Sequence, residues 1–216
     1  ESENIPFLIQ KLEKLVDKAF EIILVDNGST DDTKIVLSKE IVDKQPFLKS
    51  ISIKKNIGYG HGIMKGVNQA KGDIIAWTHA DLQTDPKDVI NAFSIYIKSD
   101  LNKSVLKGKR IGRNLFDSFF TYCMGLISSH TMGISLSDIN AQPKMFHRSF
   151  LKKLNNAPLD FSLDLYMLYQ ARINNYSIIE YPVYFNKRLY GLAKGGGNFS
   201  GKLKLIKRTW LYINKL

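Results

Sequence analysis

Three polar side chains at alternate positions after an apolar run could together hold a divalent metal ion. His79, Asp81 and Gln83 follow the apolar residues 74–77. An extended backbone projects alternate side chains to one side, so an imidazole, a carboxylate and an amide oxygen would face the same space. Together they could hold a divalent ion that bridges a diphosphate. The alternative is a polar strand end, and these three residues alone do not decide between the two.

A second polar turn ends the apolar run 20–25. Its Asp26 places a carboxylate where it could accept hydrogen bonds from a nucleotide base or a ribose, and Asn27 and Gly28 continue the turn. The alternative is an Asx turn that only caps the next helix, and this alternative is favoured when the turn is considered by itself.

A glycine-rich segment, residues 55–62, follows the next apolar run and contains Asn56 and Gly58. Its glycines allow the backbone to approach a ligand closely. The helix that follows offers N–H groups and a positive dipole end to a phosphate. Glycine-rich turns also occur without a ligand, and His61 in this segment is interpreted as a structural loop residue.

Alternating strands and helices would position these turns. The first half predicts helices at 5–19, 31–42, 59–70 and 85–98, and strands at 20–25, 48–53, 73–78 and 104–107. The second half predicts helices at 114–128, 161–173 and the C-terminus, a strand at 177–185, and loops at 137–143 and 191–197. This order indicates an α/β fold with a central, mostly parallel sheet. Ligands bind at the carboxyl ends of such strands, so the three turns should lie at one edge.

The composition indicates a soluble globular protein with an excess of positive charge. The 216 residues are 44% hydrophobic and carry a net charge of +11. This charge suits phosphorylated molecules, anionic lipid or nucleic acid, but no nucleic-acid-binding motif accompanies it. The single Cys123 excludes a disulfide framework and fits a reducing compartment. No signal peptide or membrane-spanning run is present, so we expect a cytoplasmic location. Within the cytoplasm, the protein could be attached peripherally to the inner face of the cytoplasmic membrane.

Three linked motifs resemble those of the family 2 glycosyltransferases in order and spacing. They are Val-Asp-Asn-Gly-Ser-Thr-Asp-Asp-Thr at 25–33, Asn-Ile-Gly-Tyr-Gly at 56–60 with Ala-Lys-Gly-Asp at 70–73, and Ala-Asp-Leu-Gln-Thr-Asp-Pro at 80–86. Within that family the chain looks most like the polyprenyl- or dolichyl-phosphate sugar transferases, whose closing motifs the segments 179–183 and 188–194 resemble. The resemblance covers nearly the whole chain.

The resemblance implies a GT-A fold, a nucleotide-diphosphate sugar donor and Mg²⁺ or Mn²⁺ as cofactor. The residues expected at the donor are Asp26, Asn27, Gly28, Asn56, Gly58, His79 and Asp81, and those expected at the metal are His79, Asp81 and Gln83. His79 departs from the pattern, because the family usually has Asp there. An imidazole can ligate Mn²⁺, but the site then has one negative charge fewer, which leaves metal affinity and choice open.

The beginning of the sequence also departs from the family pattern. The family places a β-strand before a segment like residues 1–4, and this sequence begins there with Glu1. We therefore expect the family's first strand to be missing from this sequence and a further piece to precede it.

The acceptor is expected in the second half. Asp138 lies where the family has an Asp before a Gly-Phe-Lys-like step, and it could orient the acceptor or act as a base; loop capping is the alternative. Asp164 lies on an otherwise apolar helix, so it should pair with a cation or face the cleft as a second catalytic candidate. Lys109, Arg110 and Arg113 resemble the basic positions that grip the acceptor phosphate in the lipid-phosphate branch. Arg188 and Lys194, beside the glycine run 195–197, could close over the diphosphate or the acceptor phosphate. The alternative for each cation is a solvated surface position.

The terminal segment 201–216 is predicted to be a basic amphipathic helix, with Leu203, Ile206, Trp210 and Ile213 on its apolar face. Such a helix suits an anionic membrane surface, or it packs on the domain with its basic side in water. We therefore expect one domain made of a donor half (1–108), an acceptor half (109–200) and this helix.

These predictions combine into an inverting glycosyltransferase whose acceptor is a polyprenyl phosphate or a cell-envelope glycan precursor. Metal and basic groups would stabilise the leaving nucleoside diphosphate. A lipid phosphate is already ionised, whereas a hydroxyl acceptor would need Asp138 or Asp164 to take its proton. The alternatives are a hydroxyl-acceptor glycosyltransferase and a non-catalytic nucleotide-sugar-binding protein.

Overall fold

Strands and helices alternate along the chain in the computed structural model, which describes residues 2–15, 19–41, 47–112, 115–186 and 199–214. The helices are α1 (Ile5–Leu15), α2 (Thr33–Ile41), α3 (Tyr59–Gln69), α4 (Lys87–Tyr96), α5 (Leu115–Met132), α6 (Leu163–Ile173) and α7 (Phe199–Ile213). The strands are β1 (Ile22–Asp26), β2 (Leu48–Ser52), β3 (Ile74–Trp77), β4 (Ser104–Ile111), β5 (Lys144–His147) and β6 (Ser177–Tyr184), and a short 3₁₀ helix spans Arg148–Lys153. The predicted α/β class is therefore confirmed.

The first two strands form a parallel pair. Ile22 lies opposite Leu48 at one end and Asp26 lies opposite Ser52 at the other. Helices α1 and α2 pack beside this pair through a buried cluster of Ile5, Ile9, Leu37 and Leu48. The pairing places Asp26 at the carboxyl end of β1, where the first predicted donor turn begins.

The other four strands form a mixed sheet in the order β3–β5–β4–β6. Strands β4 and β6 run parallel from the Ser104–Ser177 pair to the Ile111–Tyr184 pair, whereas β5 runs antiparallel to β3 and β4. The sequence did not predict β5. Its four residues are too few to show a period, and its first residue, Lys144, has a polar type although it is fully buried.

No strand pairing among the described residues joins β1 to the four-stranded sheet, so the predicted central sheet occurs as two hydrogen-bonded parts. Helix α3 packs against both β1 and β3. Gly66 permits this close approach, because a Cβ atom there would lie 2.9 Å from the Val25 Cγ2 atom. Helix α3 therefore bridges the two parts of the sheet.

Helix α6 is buried on nearly all sides. Its residues Leu163, Leu165, Met167, Leu168 and Ala171 pack in the main core with strand residues that include Trp77, Val105 and Phe146. Its residues 163–168 are all buried, so every side of this part of the helix is covered, which explains why it is almost entirely apolar. Asp164 lies in the same core and is only 2% exposed.

Several elements end at positions other than those predicted. Strand β3 ends at Trp77, and the following residues form bends, with Leu82 at a φ of 55°. The alternating, extended arrangement predicted for residues 79, 81 and 83 is therefore wrong, because a left-handed residue interrupts it. Strand β4 continues to Ile111 and α5 continues to Met132, both beyond the predicted ends.

The terminal helix α7 packs against α5. Within its predicted apolar face, Ile213 is buried but Trp210 is 47% exposed. Among the described residues, no helix combines the length and apolarity that crossing a membrane requires. The glycine-rich loop predicted at 191–197 lies outside the described residues.

Candidate donor and acceptor site

Asp26 is a buried carboxylate at the end of β1. It accepts hydrogen bonds from the Ser29 backbone N–H at 2.9 Å and from the Ser52 hydroxyl at 2.8 Å. Burial by itself would raise the pKa of Asp26, but these hydrogen bonds outweigh burial and hold the pKa below its usual value. Asp26 is therefore ionised at neutral pH and is fixed by the turn and by the neighbouring strand.

The turns after β1 and β2 are joined to each other. The Asn27 Nδ2 atom donates to the Gly58 carbonyl at 2.9 Å, and the Gly58 N–H donates to the Asn56 Oδ1 atom at 3.0 Å. Gly28 has a φ of 70°, and a Cβ atom there would lie 2.4 Å from the Asn56 backbone nitrogen. The structure thus brings together the five residues predicted for the donor in these two turns.

The start of α3 is docked on the loop that precedes α6. The His61 N–H donates to the Leu159 carbonyl at 2.9 Å, and a Cβ atom at Gly60 would lie 2.1 Å from the Pro158 carbonyl oxygen. The sequence predicted that N–H groups at the start of this helix could bind a phosphate. The His61 N–H is one of them, and it already donates to a backbone carbonyl. The glycines serve the packing of two backbones against each other.

Residues 79–83 form a turn beside this docked helix. The Gln83 N–H donates to the Asp81 Oδ1 atom at 3.1 Å, and the Gln83 side-chain Nε2 atom donates to the Asn186 carbonyl at 3.1 Å. Asp81 is 6% exposed, and the His79 ring lies 5.7 Å from the Tyr59 ring. His79 is thereby placed next to the residue that follows the Asn56–Gly58 turn.

The described residues contain no group of three His, Cys, Asp or Glu side chains close enough to hold a metal ion together. His79 and Asp81 offer one imidazole and one carboxylate, and Gln83 would have to supply a third ligand through its amide. The side chains present are of types that bind Mg²⁺ or Mn²⁺, but their arrangement does not by itself define a metal site.

Asp164 lies at the centre of a buried hydrogen-bond network. Its carboxylate accepts from the Tyr59 hydroxyl at 3.3 Å, the Trp77 indole N–H at 3.3 Å and the Gln142 amide at 3.0 Å. The Lys144 Nζ atom lies 3.4 Å from the Asp164 Oδ1 atom. Burial lowers the pKa of Lys144 to about 8, although the neighbouring Asp164 charge opposes this. The predicted pairing of Asp164 with a cation is confirmed by this geometry.

Asp138 is held in a two-point ion pair with Arg110. The Arg110 Nε and Nη2 atoms both donate to its Oδ1 atom, and the Arg110 backbone N–H donates to its Oδ2 atom at 2.7 Å. Burial acts to raise the pKa of Asp138, but the guanidinium charge and these hydrogen bonds hold it below its usual range. Asp138 is therefore a weak base, and it orients the Arg110 side chain.

Lys109 is also paired. Its Nζ atom lies 2.8 Å from one oxygen of Glu180, whose other oxygen lies 3.0 Å from the Nζ atom of the buried Lys107. Burial opposes ionisation of Glu180, but hydrogen bonds from Lys109, Ser137 and Lys107 lower its pKa to about 2. The remaining predicted cations, Arg113, Arg188 and Lys194, lie outside the described residues.

An open groove of about 670 Å³ lies beside these cations, between α5 and residues 133–138. Lys109 and Arg110 line it from the end of β4, and Tyr122 and Leu126 line it from α5. Phe119, Tyr122 and Leu126 recur at helical spacing and are 62%, 63% and 50% exposed. The groove therefore combines the exposed apolar side chains of Tyr122 and Leu126 with two basic side chains, and Phe119 extends the apolar surface of α5 beyond the groove lining.

Several residues that shape the site were not predicted from the sequence: Tyr59, Trp77, Gln142, Lys144 and Glu180. Tyr59 and Gln142 are 83 residues apart, and their hydrogen bond depends on the long-range packing of α3 against the 138–142 loop. Asp164 was a signal for the buried partners, because a carboxylate in the core needs them. The motif segments 56–60 and 179–183 contain Tyr59 and Glu180 but did not indicate their contacts.

Comparison with known proteins identifies the family. The family model described as "Glycosyl transferase family 2" matches residues 1–212. The chain is 26% identical over 159 residues to an undecaprenyl-phosphate 4-deoxy-4-formamido-L-arabinose transferase of Yersinia enterocolitica, which covers 71% of this chain and 48% of that protein. It is 29% identical over 140 residues to a dodecaprenyl-phosphate galacturonate synthase of Rhizobium johnstonii, covering 62% of this chain and 40% of that protein. The chain thus spans about half the length of these relatives or less.

Solved structures show the same fold. A glucosyl-3-phosphoglycerate synthase from Mycobacterium tuberculosis, in complex with Mn²⁺, UDP and glucosyl-3-phosphoglycerate, matches with a TM-score of 0.69 and 18% identity over 99% of this chain and 76% of that one. A mannosyltransferase from Pyrobaculum calidifontis, in complex with GDP-mannose and Mn²⁺, matches with a TM-score of 0.64 and 16% identity over 99% and 66%. The predicted GT-A fold is confirmed. The chain belongs to glycosyl transferase family 2.

Proposed function

We propose that this glycosyltransferase moves a sugar from a nucleotide-diphosphate sugar to a polyprenyl phosphate. The observation that carries the proposal is the state of the two candidate bases. Asp138 is ionised and paired with Arg110, and Asp164 is buried among four donors. A hydroxyl acceptor needs a base to take its proton, and neither carboxylate is suited to that task. A phosphate monoester is already ionised at neutral pH and needs none.

The reaction would then be a direct displacement. A phosphate oxygen of the acceptor forms a bond to the anomeric carbon as the bond from that carbon to the diphosphate oxygen breaks. The nucleoside diphosphate leaves with the electron pair, and no proton changes place. Attack from the opposite side inverts the anomeric carbon. The protein must hold two anions close together, which basic side chains favour.

Lys109 and Arg110 are the described cations that fit the acceptor phosphate. Both line the groove beside α5, and the Asp138 pair presents the Arg110 guanidinium in a fixed orientation. The exposed apolar face of α5 suits the hydrocarbon chain of the same molecule. The two polyprenyl-phosphate enzymes among the relatives support this acceptor class. Arg113, Arg188 and Lys194 remain predictions for phosphate binding.

We also infer that a divalent cation takes part. The two related structures contain Mn²⁺ together with UDP or GDP-mannose. Here His79, Asp81 and Gln83 would hold the ion. When bound, the ion would neutralise charge on the leaving diphosphate. Asp26, Asn27 and the Asn56–Gly58 turn would hold the nucleoside.

We propose that the same surface attaches the protein to the inner face of the cytoplasmic membrane. A polyprenyl phosphate is embedded in the membrane, so the groove must face the lipid. Helix α5 exposes an apolar stripe there, and α7, which packs against it, exposes Trp210 and Leu211. Apolar side chains on a protein of net charge +11 suit an anionic membrane surface.

A donor screen with and without undecaprenyl phosphate tests the proposal. UDP-glucose, UDP-galacturonate and GDP-mannose would each be incubated with the protein and Mn²⁺. The expected result is release of nucleoside diphosphate that depends on the lipid. A second candidate, a nucleotide-sugar-binding protein without catalysis, is favoured by the imidazole of His79 where the family usually has a carboxylate. Tight donor binding with no turnover under any of these conditions would support that candidate instead.

A further inference from the structure

The donor turn and the acceptor loop are joined through one buried ion pair. The Lys144 side chain is 0% exposed and the Asp164 side chain is 3% exposed, with 3.4 Å between the Nζ and Oδ1 atoms. Burying two charges is costly unless their remaining hydrogen-bonding groups are satisfied, and here they are satisfied on both sides. The partners come from opposite halves of the site.

On the donor side, the pair holds Tyr59 and Trp77. The Tyr59 hydroxyl and the Trp77 indole N–H both donate to Asp164. Tyr59 directly follows Gly58, and its ring is stacked on Phe161 at 4.8 Å and lies 5.7 Å from the His79 ring. Trp77 ends β3, two residues before His79. Fixing these two side chains therefore fixes both predicted donor segments.

On the acceptor side, the pair holds the loop after Asp138. The Lys144 Nζ atom donates to the Ile139 carbonyl at 2.8 Å and to the Ala141 carbonyl at 2.6 Å. The same loop begins at Asp138, which orients Arg110. The Gln142 amide completes the link, because its Nε2 atom lies 3.0 Å from both the Tyr59 hydroxyl and the Asp164 Oδ1 atom.

We propose that Asp164 and Lys144 are positioning residues that set the distance between the bound donor and the bound acceptor. They act through Tyr59 and Gln142 and do not touch the reacting atoms. The inference rests on the proposed function for its activity readout. Loosening this hydrogen-bond network would weaken donor binding, because the predicted donor segments lose support. At saturating donor, however, hydrolysis of the donor by water would fall less than transfer, because water needs no fixed acceptor loop. Transfer to the lipid phosphate would suffer, because displacement needs both partners aligned.

The first experiment compares Tyr59→Phe with Tyr96→Phe in the full chain. Tyr96 is a matched control: its buried hydroxyl donates to the Ser104 carbonyl at 2.9 Å in a separate cluster. With the active donor of the screen and undecaprenyl phosphate, the ratio of transfer to donor hydrolysis is measured. Tyr59→Phe should lower this ratio by about tenfold or more, while Tyr96→Phe leaves it unchanged. Equal losses of both rates in Tyr59→Phe would overturn the proposal.

The second experiment needs no substrate. Amide hydrogen exchange is followed in the unliganded wild type and in the Tyr59→Phe and Asp164→Asn variants. The link predicts faster exchange in residues 56–61 and in residues 139–142 of both variants. Faster exchange on the donor side alone would overturn the link. If the wild type transfers no sugar to the lipid, the proposed function fails, but this exchange result still decides the inference.

Discussion

At the scale of single residues, Asp138 shows how the environment of a carboxylate decides its role. The Arg110 guanidinium and backbone N–H hold the pKa of Asp138 below its usual range. A general base is most effective when its pKa lies near the working pH. The pKa of Asp138 is instead shifted further below neutral pH. Its contribution is the orientation of Arg110, so its removal should affect acceptor binding more than the chemical step.

Asp138→Asn is therefore expected to raise the acceptor KM while kcat falls by less than about tenfold. Loss of a general base would instead lower kcat by about 10²- to 10⁴-fold. Steady-state kinetics with undecaprenyl phosphate checks this. Asp100→Asn serves as the control, because Asp100 is exposed and lies just before β4, whereas Arg110 lies near the end of that strand. A collapse of kcat with an unchanged acceptor KM would restore Asp138 as a base.

His79 is the residue on which metal choice should depend. An imidazole suits Mn²⁺ better than Mg²⁺, whereas a carboxylate suits both. His79→Asp is expected to raise the rate with Mg²⁺ relative to the rate with Mn²⁺. Initial rates at matched concentrations of the two metals measure this ratio. An unchanged ratio would show that His79 does not contact the ion.

At the scale of elements, the docking of α3 on the loop before α6 shapes the donor turn. A Cβ atom at Gly60 would lie 2.1 Å from the Pro158 carbonyl oxygen, so backbone must move to admit it. Gly60→Ala should lower the free energy of unfolding by about 1–3 kcal/mol and weaken donor binding. Gly72→Ala is the control, because its Cβ would meet the Ile74 carbonyl oxygen at an ordinary 3.4 Å. Urea unfolding and donor titration measure both effects, and equal behaviour of the two variants would contradict the account.

The β4–β6 pairing carries a pH-dependent contribution to stability through Glu180. Its pKa falls from the usual 4.5 to about 2 in the folded state, because hydrogen bonds from Lys109, Ser137 and Lys107 outweigh burial. Between about pH 2 and pH 4.5 the unfolded chain therefore binds more protons at this carboxyl group than the folded chain does. The contribution is complete above pH 4.5 and is lost as the pH falls towards 2. Glu180→Gln should flatten the decline of the free energy of unfolding between pH 5 and pH 3, as urea titrations would show; an unchanged slope would refute it.

Local patterns predicted the elements well and the contacts between them poorly. The apolar runs before Asp26 and Asn56 predicted β1 and β2 and the meeting of their turns, because neighbouring parallel strands end at one edge. The extended arrangement of residues 79–83 was predicted wrongly, because β3 ends at Trp77 and the backbone bends over residues 80–84, with Leu82 at a positive φ. Lys144 was missed because its burial depends on Asp164, 20 residues away. The spacing of apolar and polar residues along the sequence does not indicate such a long-range ion pair.

At the scale of the whole molecule, the exposed apolar stripe on α5 should contact the membrane. Replacing Phe119 and Leu126 together by Glu adds charge to this face without filling the core, because both side chains are at least half exposed. Co-sedimentation with vesicles containing anionic lipid should fall about tenfold or more, since apolar area and surface charge together set such binding. Ile95→Glu, on α4 and 47% exposed, is the control and should bind as the wild type does. Equal binding of all the proteins would place the membrane contact elsewhere.

We propose that the acceptor brings its own negative charge, so that the site needs no base. The most direct measurement compares undecaprenyl phosphate with undecaprenol as acceptors for the same donor, in the same detergent micelles, with product detected by mass spectrometry. The account predicts a sugar-phosphate lipid from the first acceptor and no glycosylated product from the alcohol. Glycosylation of undecaprenol at a rate comparable to that of the phosphate would contradict it.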